Sequence, residues 1–139
     1  MTGVADVGNH QGQRLWNATV TAFAVLDGFG VRVCEPHLDA WRGADVVVAS
    51  ETVTIAVAAD WLERELAVWV HVVGARPMPV ENLIPELHGL LRLPRDATRG
   101  ALQRRLERIV QALQARAPEV LDGGQRALAR VLKAGGEAT

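Results

Sequence analysis

The sequence has no tyrosine, only two phenylalanines and a single cysteine among its 139 residues. Because Cys34 stands alone, an intramolecular disulfide is excluded, and a reducing cytoplasm is the simplest location for the chain. No apolar run approaches the roughly 20 residues that span a bilayer. Residues 1–12 contain no basic region followed by an apolar block, which argues against a secretory signal. We therefore expect a cytoplasmic protein without a membrane-spanning segment.

Motifs that mark common enzymes are missing as well. The sequence has no phosphate-binding glycine-rich loop, no Gly-x-Ser-x-Gly nucleophile turn and no paired metal-binding motif. Gly28 and Gly30 follow a predicted helix, which is the wrong context for a dinucleotide-binding turn. With no catalytic constellation, we expect a protein that is not an enzyme and that needs neither a cofactor nor a metal.

The overall composition is that of a globular protein. Apolar residues make up 49% of the chain and charged residues 22%, which is an ordinary balance. A chain of this length is large enough to bury a hydrophobic core. We predict a single domain over residues 1–139, with short flexible tails at about 1–12 and 134–139.

The segment from Asp45 to Val73 organises the rest of the chain. Apolar and β-branched residues alternate along it in two runs, which are separated by a polar corner at Asp60 to Arg64. A period of two places each apolar set on one face of a sheet. Because the connections between the runs are short, the strands are expected to pair as antiparallel hairpins.

Helical patterns flank this meander on both sides. We predict a first helix at about Gln13 to Leu26, and a short strand at Val31 to Cys34. An apolar stripe over residues 80–91 is interrupted by Pro85, so that the helix either starts near Ile84 or is kinked there. Further helices are expected from about residue 98 to 116 and from 125 to 133. The last helix is expected to turn Leu128, Val131 and Leu132 inward. The apolar stripe of the helix before it consists of Leu102, Leu106, Ile109, Val110, Leu113 and Ala117. The order predicts an α+β fold, with an N-terminal helix, an antiparallel meander of three to four strands, and C-terminal helices packed on one face of the sheet.

Tryptophan supplies the candidate partner-binding residues. The four tryptophans are unusual in a chain so poor in other aromatic residues. The pattern assigns Trp69 to the core, whereas Trp41 and Trp61 fall in a loop and a hairpin corner, where an exposed tryptophan often anchors an interface. His71 shares a strand face with Trp69. We therefore select Trp41, Trp61, Trp69 and His71; the alternatives are that Trp61 folds over the end of the sheet and that His71 is a half-exposed or hydrogen-bonded histidine.

The charges are distributed unevenly along the chain. Residues 1–90 contain 5 Arg and no Lys against 11 acidic residues, a net charge of −6, and residues 91–139 carry a net charge of +5. Arg99, Arg104, Arg105 and Arg108 could form a face of the third helix that contacts phosphates. No aromatic residues interleave with them and no nucleic-acid motif accompanies them, so a solvated helix face is the favoured interpretation and a nucleic-acid partner the alternative.

A smaller polar cluster follows the first strand. Glu35, His37 and Asp39 alternate and could bind a metal or transfer protons. The sequence has no second histidine-rich motif with ligand spacing, so a solvated loop is favoured. Cys34 would need a base such as His37 to act as a nucleophile; a buried, inert cysteine is the favoured interpretation.

The hairpin from Val53 to Val70 turns through an aromatic, Arg/Glu-rich corner and resembles a hairpin of small bacterial α+β proteins. Together with the preceding helix end at 27–31, the chain over about residues 12–91 resembles proteins of the polymorphic-toxin immunity type. That resemblance implies a protein that binds and neutralises a toxin through freely varying surface residues, so it assigns no site residue. A second similarity is to type III secretion chaperones, which begin with a helix and a three-stranded meander and form dimers; the later strand pair of those chaperones is missing here.

These observations predict a protein-binding module without catalysis, immunity-like, with a chaperone-like homodimer as an alternative. The predicted strand from Glu65 to Val73 is long and free of internal Lys or Pro, so its edge and its second face must be protected. We expect the face that bears Trp69 to be buried, either under the C-terminal helices or against a second copy of the chain.

Overall fold

The computed structural model describes residues 3–26, 28–33, 43–93 and 99–139. It contains five α-helices, one 3₁₀ helix and five strands in these described residues. In chain order they are α1 (Gly3–Phe23), β1 (Gly30–Val33), β2 (Gly43–Ala49), β3 (Val53–Asp60), β4 (Glu65–Val72), β5 (Met78–Pro79), α2 (Val80–Leu83), the 3₁₀ helix (Pro85–Leu91), α3 (Arg99–Arg116), α4 (Pro118–Asp122) and α5 (Gly124–Lys133).

The strands form one antiparallel sheet in the order β1-β2-β3-β4-β5. Each strand pairs with its neighbour in sequence, as short connections require. The predicted α+β fold with an antiparallel meander is therefore confirmed. The strand β5 was not predicted: it has two residues, and its pairing with Trp69 and Val70 covers only part of the outer edge of β4.

Alternation along the strands separates a covered face from an open one. On β3 and β4 the residues of the covered face are at most 2% exposed, and they belong to one core cluster with α1 and α3. The helices therefore lie on one side of the sheet, as the sequence predicts. The residues of β3 and β4 on this covered face are Val53, Ile55, Val57, Ala59, Leu66, Val68, Val70 and Val72.

The first helix is longer than its sequence pattern indicates. It begins at Gly3, ten residues before the predicted start at Gln13, and it ends at Phe23 rather than Leu26. Residues 3–12, which the sequence assigns to a flexible tail, are therefore helical. The amphipathic pattern misses this extension because it detects only the part of a helix that has an apolar stripe.

The C-terminal residues are also not a free tail. The amide of Thr139 donates to the carbonyl of Gly74 at 3.0 Å, and the amide of Arg76 donates to the carbonyl of Glu137 at 2.8 Å. The predicted flexible segment 134–139 thus lies along the loop between β4 and β5. Backbone pairing of this kind leaves no signature in side-chain periodicity.

Pro85 divides the apolar stripe of residues 80–91 into two short helices. The first, α2, ends at Leu83, and Ile84 is extended with φ −135° and ψ 90°. Proline lacks the amide hydrogen that an α-helix would use for its hydrogen bond. It also disfavours the helical conformation in the residue before it. The 3₁₀ helix then starts at Pro85, so the break is sharper than a kink.

The apolar stripe of α3 is confirmed, because all of its predicted core residues are buried. In α5 the prediction is partly wrong. Leu132, expected to face inward, is 38% exposed, whereas Ala127 and Val131 are fully buried. The residues of the α3 stripe are Leu102, Leu106, Ile109, Val110, Leu113 and Ala117.

Candidate interaction surface

The second face of the sheet, here called the open face, carries the side chains that alternate with the core set. None of these side chains is buried, and none belongs to the core cluster. Most of them are small, so few side-chain atoms rise above the backbone of the sheet. The open face consists of Val47, Ala49, Thr54, Ala56, Ala58, Ala67, Trp69 and His71.

Trp69 is the one large side chain on the open face. It lies opposite Ala56 of β3 and opposite Pro79 of β5, and it is 42% exposed. The expectation that Trp69 belongs to the core is wrong, and so is the alternative that the C-terminal helices cover its face. The reason is register: Val68 and Val70 point into the core, and in a strand the residue between them must point the other way.

His71 extends the open face toward the end of β4. It lies opposite Thr54, which in turn lies opposite Ala49. The histidine is exposed, two residues from Trp69 on the same face. The structure thus brings together two of the four candidate partner-binding residues, Trp69 and His71.

Trp61 lies away from this surface. It begins the turn between β3 and β4, where the Asp60 carboxylate accepts a hydrogen bond from the Glu63 amide at 3.0 Å. Its ring is half-buried against the core, and its Nε1 is buried without a hydrogen-bond partner among the described residues. Trp61 therefore folds over the end of the sheet, which is the alternative that the sequence analysis left open. The fourth candidate, Trp41, lies outside the described residues.

A cavity of about 320 Å³ opens at the outer edge of β4, beside the open face. It forms because the chain leaves this edge after Pro79 and returns only at Arg92, which bridges Glu65. Ala67 and Trp69 line it and also belong to the open face. This cavity, the edge pocket, is lined by Glu65, Leu66, Ala67, Val68, Trp69, Pro79, Glu81, His88, Leu91 and Arg92.

Among the residues that the structure describes, the charged side chains of the edge pocket have no partners. Glu65, Glu81 and Arg92 form no side-chain hydrogen bond or ion pair with the other residues that the structure describes. Two carboxylates and one guanidinium therefore surround an apolar wall made by an indole and a proline ring. A few polar groups in a mostly apolar pocket can fix the orientation of a ligand.

The arginines of α3 do not form a single exposed face. Arg104 and Arg108 are exposed and one turn apart, but Arg105 is half-buried, with its Nε buried and unpartnered. The side chain of Arg99 is not among those described. Arg108 lines a shallow groove between α3 and the 3₁₀ helix. Contact of this helix with nucleic acid stays a prediction.

The predicted polar cluster of Glu35, His37 and Asp39, together with Cys34, lies outside the described residues. Within residues 3–26, 28–33, 43–93 and 99–139, no three histidine, cysteine or carboxylate side chains stand close enough to share a metal ion. In the same residues, no helix has both the length and the apolar character that crossing a membrane requires.

Sequence reasoning missed the edge pocket altogether. Its charged residues are far apart in the chain, and the two-residue β5 that forms one of its walls sits in a segment with no strand pattern. The only signal is Pro79, because proline favours the edge of a sheet. Compared with family models, curated proteins and solved structures, the chain matches none of them.

Proposed function

We propose that the chain is a non-catalytic protein-binding module that holds a partner protein against its open face. The observation that carries this proposal is the exposure of Trp69, 42%, on β4, where its neighbours on the open face are small side chains. An exposed tryptophan loses little conformational entropy on binding and offers a large apolar surface, so it is a common anchor of protein interfaces. Because the neighbouring side chains are short, a partner can approach the backbone of the sheet closely.

The immunity-like version of this proposal has a partner toxin as the occupant of the open face. The excess of acidic residues over residues 1–90, which include the whole sheet, supports a partner with a basic surface. Complementary charge speeds the encounter and aligns the two surfaces, while Trp69 supplies the buried contact. A cytoplasmic location would place the module where an incoming toxin acts.

A second copy of the chain is the alternative occupant, as in a secretion-chaperone-like homodimer. A specific observation favours it: the described helices leave the Trp69 face open, so this face is available to a second copy. Two identical faces of small residues can stack as the sheets of a β-sandwich do. In this version Trp69 of each copy would pack on the small side chains of the other.

The test uses the tagged chain as bait in its native host, with the products of neighbouring reading frames identified among the proteins recovered. We expect wild type to recover one partner that Trp69→Glu does not recover. The matched control is Val25→Glu, which places the same charge at a side chain that is 61% exposed near the end of α1. Equal recovery by both variants, or no partner and no toxicity when the gene is deleted, would refute the proposal.

Light scattering separates the two occupants. A homodimer predicts twice the monomer mass for wild type and for Val25→Glu, and the monomer mass for Trp69→Glu. A wild-type protein that stays monomeric at high concentration excludes the second copy and leaves the partner protein. Circular dichroism of all three proteins checks that each variant is folded.

A further inference from the structure

The edge pocket deepens the proposed function, because it shares Trp69 with the open face. We propose that it binds the guanidinium group of an arginine that the partner protein presents, with Trp69 beside the cation and Glu65 and Glu81 as acceptors. This inference rests on the proposal that the open face holds a partner. It names the chemistry that the partner must carry at the rim of that face.

The size of the pocket limits what can enter. A volume of about 320 Å³ is at the lower end of the range of about 300–1,000 Å³ for sites that enclose a small molecule. One long side chain fills such a space, whereas a large cofactor does not. Since Ala67 and Trp69 belong both to the pocket and to the open face, a chain lying on the open face can insert a side chain without leaving it.

The charges select a cation. Glu65 and Glu81 contribute two carboxylates, and Arg92 contributes one positive charge, so the ionised side chains of the pocket sum to −1 with His88 neutral. A carboxylate attracts a cation, and the hydrogen bonds that a guanidinium donates to it are stronger than those between neutral groups. An anionic side chain would have to approach two carboxylates to reach the single guanidinium.

The indole favours guanidinium over ammonium. A guanidinium is planar and weakly hydrated, so it stacks on the face of a tryptophan and can still donate two hydrogen bonds to a carboxylate. An ammonium is compact and strongly hydrated, and it makes neither contact as well. Arginine is also enriched, like tryptophan, at the centres of protein interfaces.

The test titrates the full-length ¹⁵N-labelled chain with N-acetyl-L-arginine amide and follows the four tryptophan indole N–H signals. The signal of Trp69 is assigned by its loss in Trp69→Phe. The matched probe is N-acetyl-L-citrulline amide, which has nearly the same shape and no charge. We expect the arginine probe alone to shift the Trp69 signal saturably, with the other three indoles unaffected. Equal shifts from both probes, or no shift from either, would overturn the inference.

Variants then test which side chains act. We expect Glu65→Gln with Glu81→Gln to weaken the arginine probe about tenfold, since two charge-assisted contacts become neutral. Arg92→Gln should bind it more tightly, because the repulsive cation is gone. The control, Glu51→Gln, removes an exposed carboxylate in the turn between β2 and β3 and should change nothing. A loss of binding in Arg92→Gln, or tighter binding of an N-acetyl-L-glutamate amide probe, would show an anion site instead.

Failure here can be told apart from failure of the proposed function. The arginine probe reports only on the pocket, whereas recovery of a partner by wild type and its loss in Trp69→Glu report on the open face. A partner retained with no probe binding refutes the arginine site alone. A recovered partner whose binding survives Glu65→Gln with Glu81→Gln also refutes it.

Discussion

The two faces of the sheet are built from the same strands, yet they differ in the size and the burial of their side chains. Along β3, Val53, Ile55 and Val57 are buried to 1% exposure or less, whereas the alternating Thr54 and Ala56 are only half-buried. The covered face carries branched side chains that fill space against the helices. The open face carries short ones, so it has little to pack with and little to lose in water.

Trp69 contributes less to the stability of the fold than its neighbours on β4 do. On β4, Val68 and Val70 are 1% and 0% exposed, and Trp69 between them is 42% exposed. Fully burying a large apolar side chain stabilises a fold by about 1.5–3 kcal/mol, and the indole forgoes much of this. A tryptophan retained on a face of alanines is therefore better explained by a contact made with another molecule.

The largest loss of stability is expected from a cavity on the covered face. Ile55→Ala removes a side chain with no exposure at the centre of β3. We expect the free energy of unfolding to fall by about 2–5 kcal/mol, because lost burial and an unfilled cavity add. Urea denaturation followed by circular dichroism measures it.

The control for that variant lies one residue away, on the open face. Thr54→Ala should change the free energy of unfolding by no more than about 0.5 kcal/mol, as at other surface positions. Equal losses at Ile55 and Thr54 would mean that another element covers both faces alike.

A second prediction concerns the contact between the α4–α5 connection and the turn that joins β2 to β3. Gly123, between α4 and α5, has φ +77°, and a Cβ there would clash with the side chain of Thr52. We expect Gly123→Ala to cost roughly 2–4 kcal/mol in free energy of unfolding, from the clash and from a backbone with φ +77° and ψ −169°, which essentially only glycine adopts.

Gly124 is the matched control for that clash. It has φ +76°, but a Cβ there would meet nothing within 4 Å. Gly124→Ala should therefore cost only the backbone part, roughly 1–2 kcal/mol. Thermal unfolding of both variants measures the two losses of stability. A larger loss at Gly123 is expected because the clash adds to the backbone cost, and equal losses would show that a side chain at residue 123 meets no resistance from Thr52.

Much of the fold could be predicted because side-chain periodicity is a local signal. The alternation along β3 and β4 fixes which residues face the core, and the stripe of α3 fixes its buried side. The misses have non-local causes. The start of α1 at Gly3 carries no apolar stripe, the C-terminal segment pairs through its backbone, and β5 exists only because β4 offers an edge.

The candidate site was predicted less well, for a related reason. Trp69 and His71 share one strand face, as the alternation predicts. Their exposure, however, depends on which face the helices cover, and hydrophobicity alone favoured burial for Trp69. The edge pocket joins Glu65, Glu81 and Arg92 across three separate segments. No spacing along the sequence encodes that meeting, since it follows from the interruption of the outer edge strand between Pro79 and Arg92.

The smallest change in the free energy of unfolding is expected for Trp69, although it is the largest side chain of the sheet. Trp69→Ala should lower the free energy of unfolding by no more than about 1 kcal/mol, whereas the same truncation in a core costs about 3–5 kcal/mol. The measurement is made at low protein concentration, where any homodimer has dissociated, because a second copy bound to the native state would add its own stabilisation. A stability that falls further only at high concentration would identify the second copy as the occupant. If Trp69→Ala instead lowers the free energy of unfolding at every concentration by as much as a truncation in a core, the chain itself covers this face. That result would remove the basis of the proposed interface.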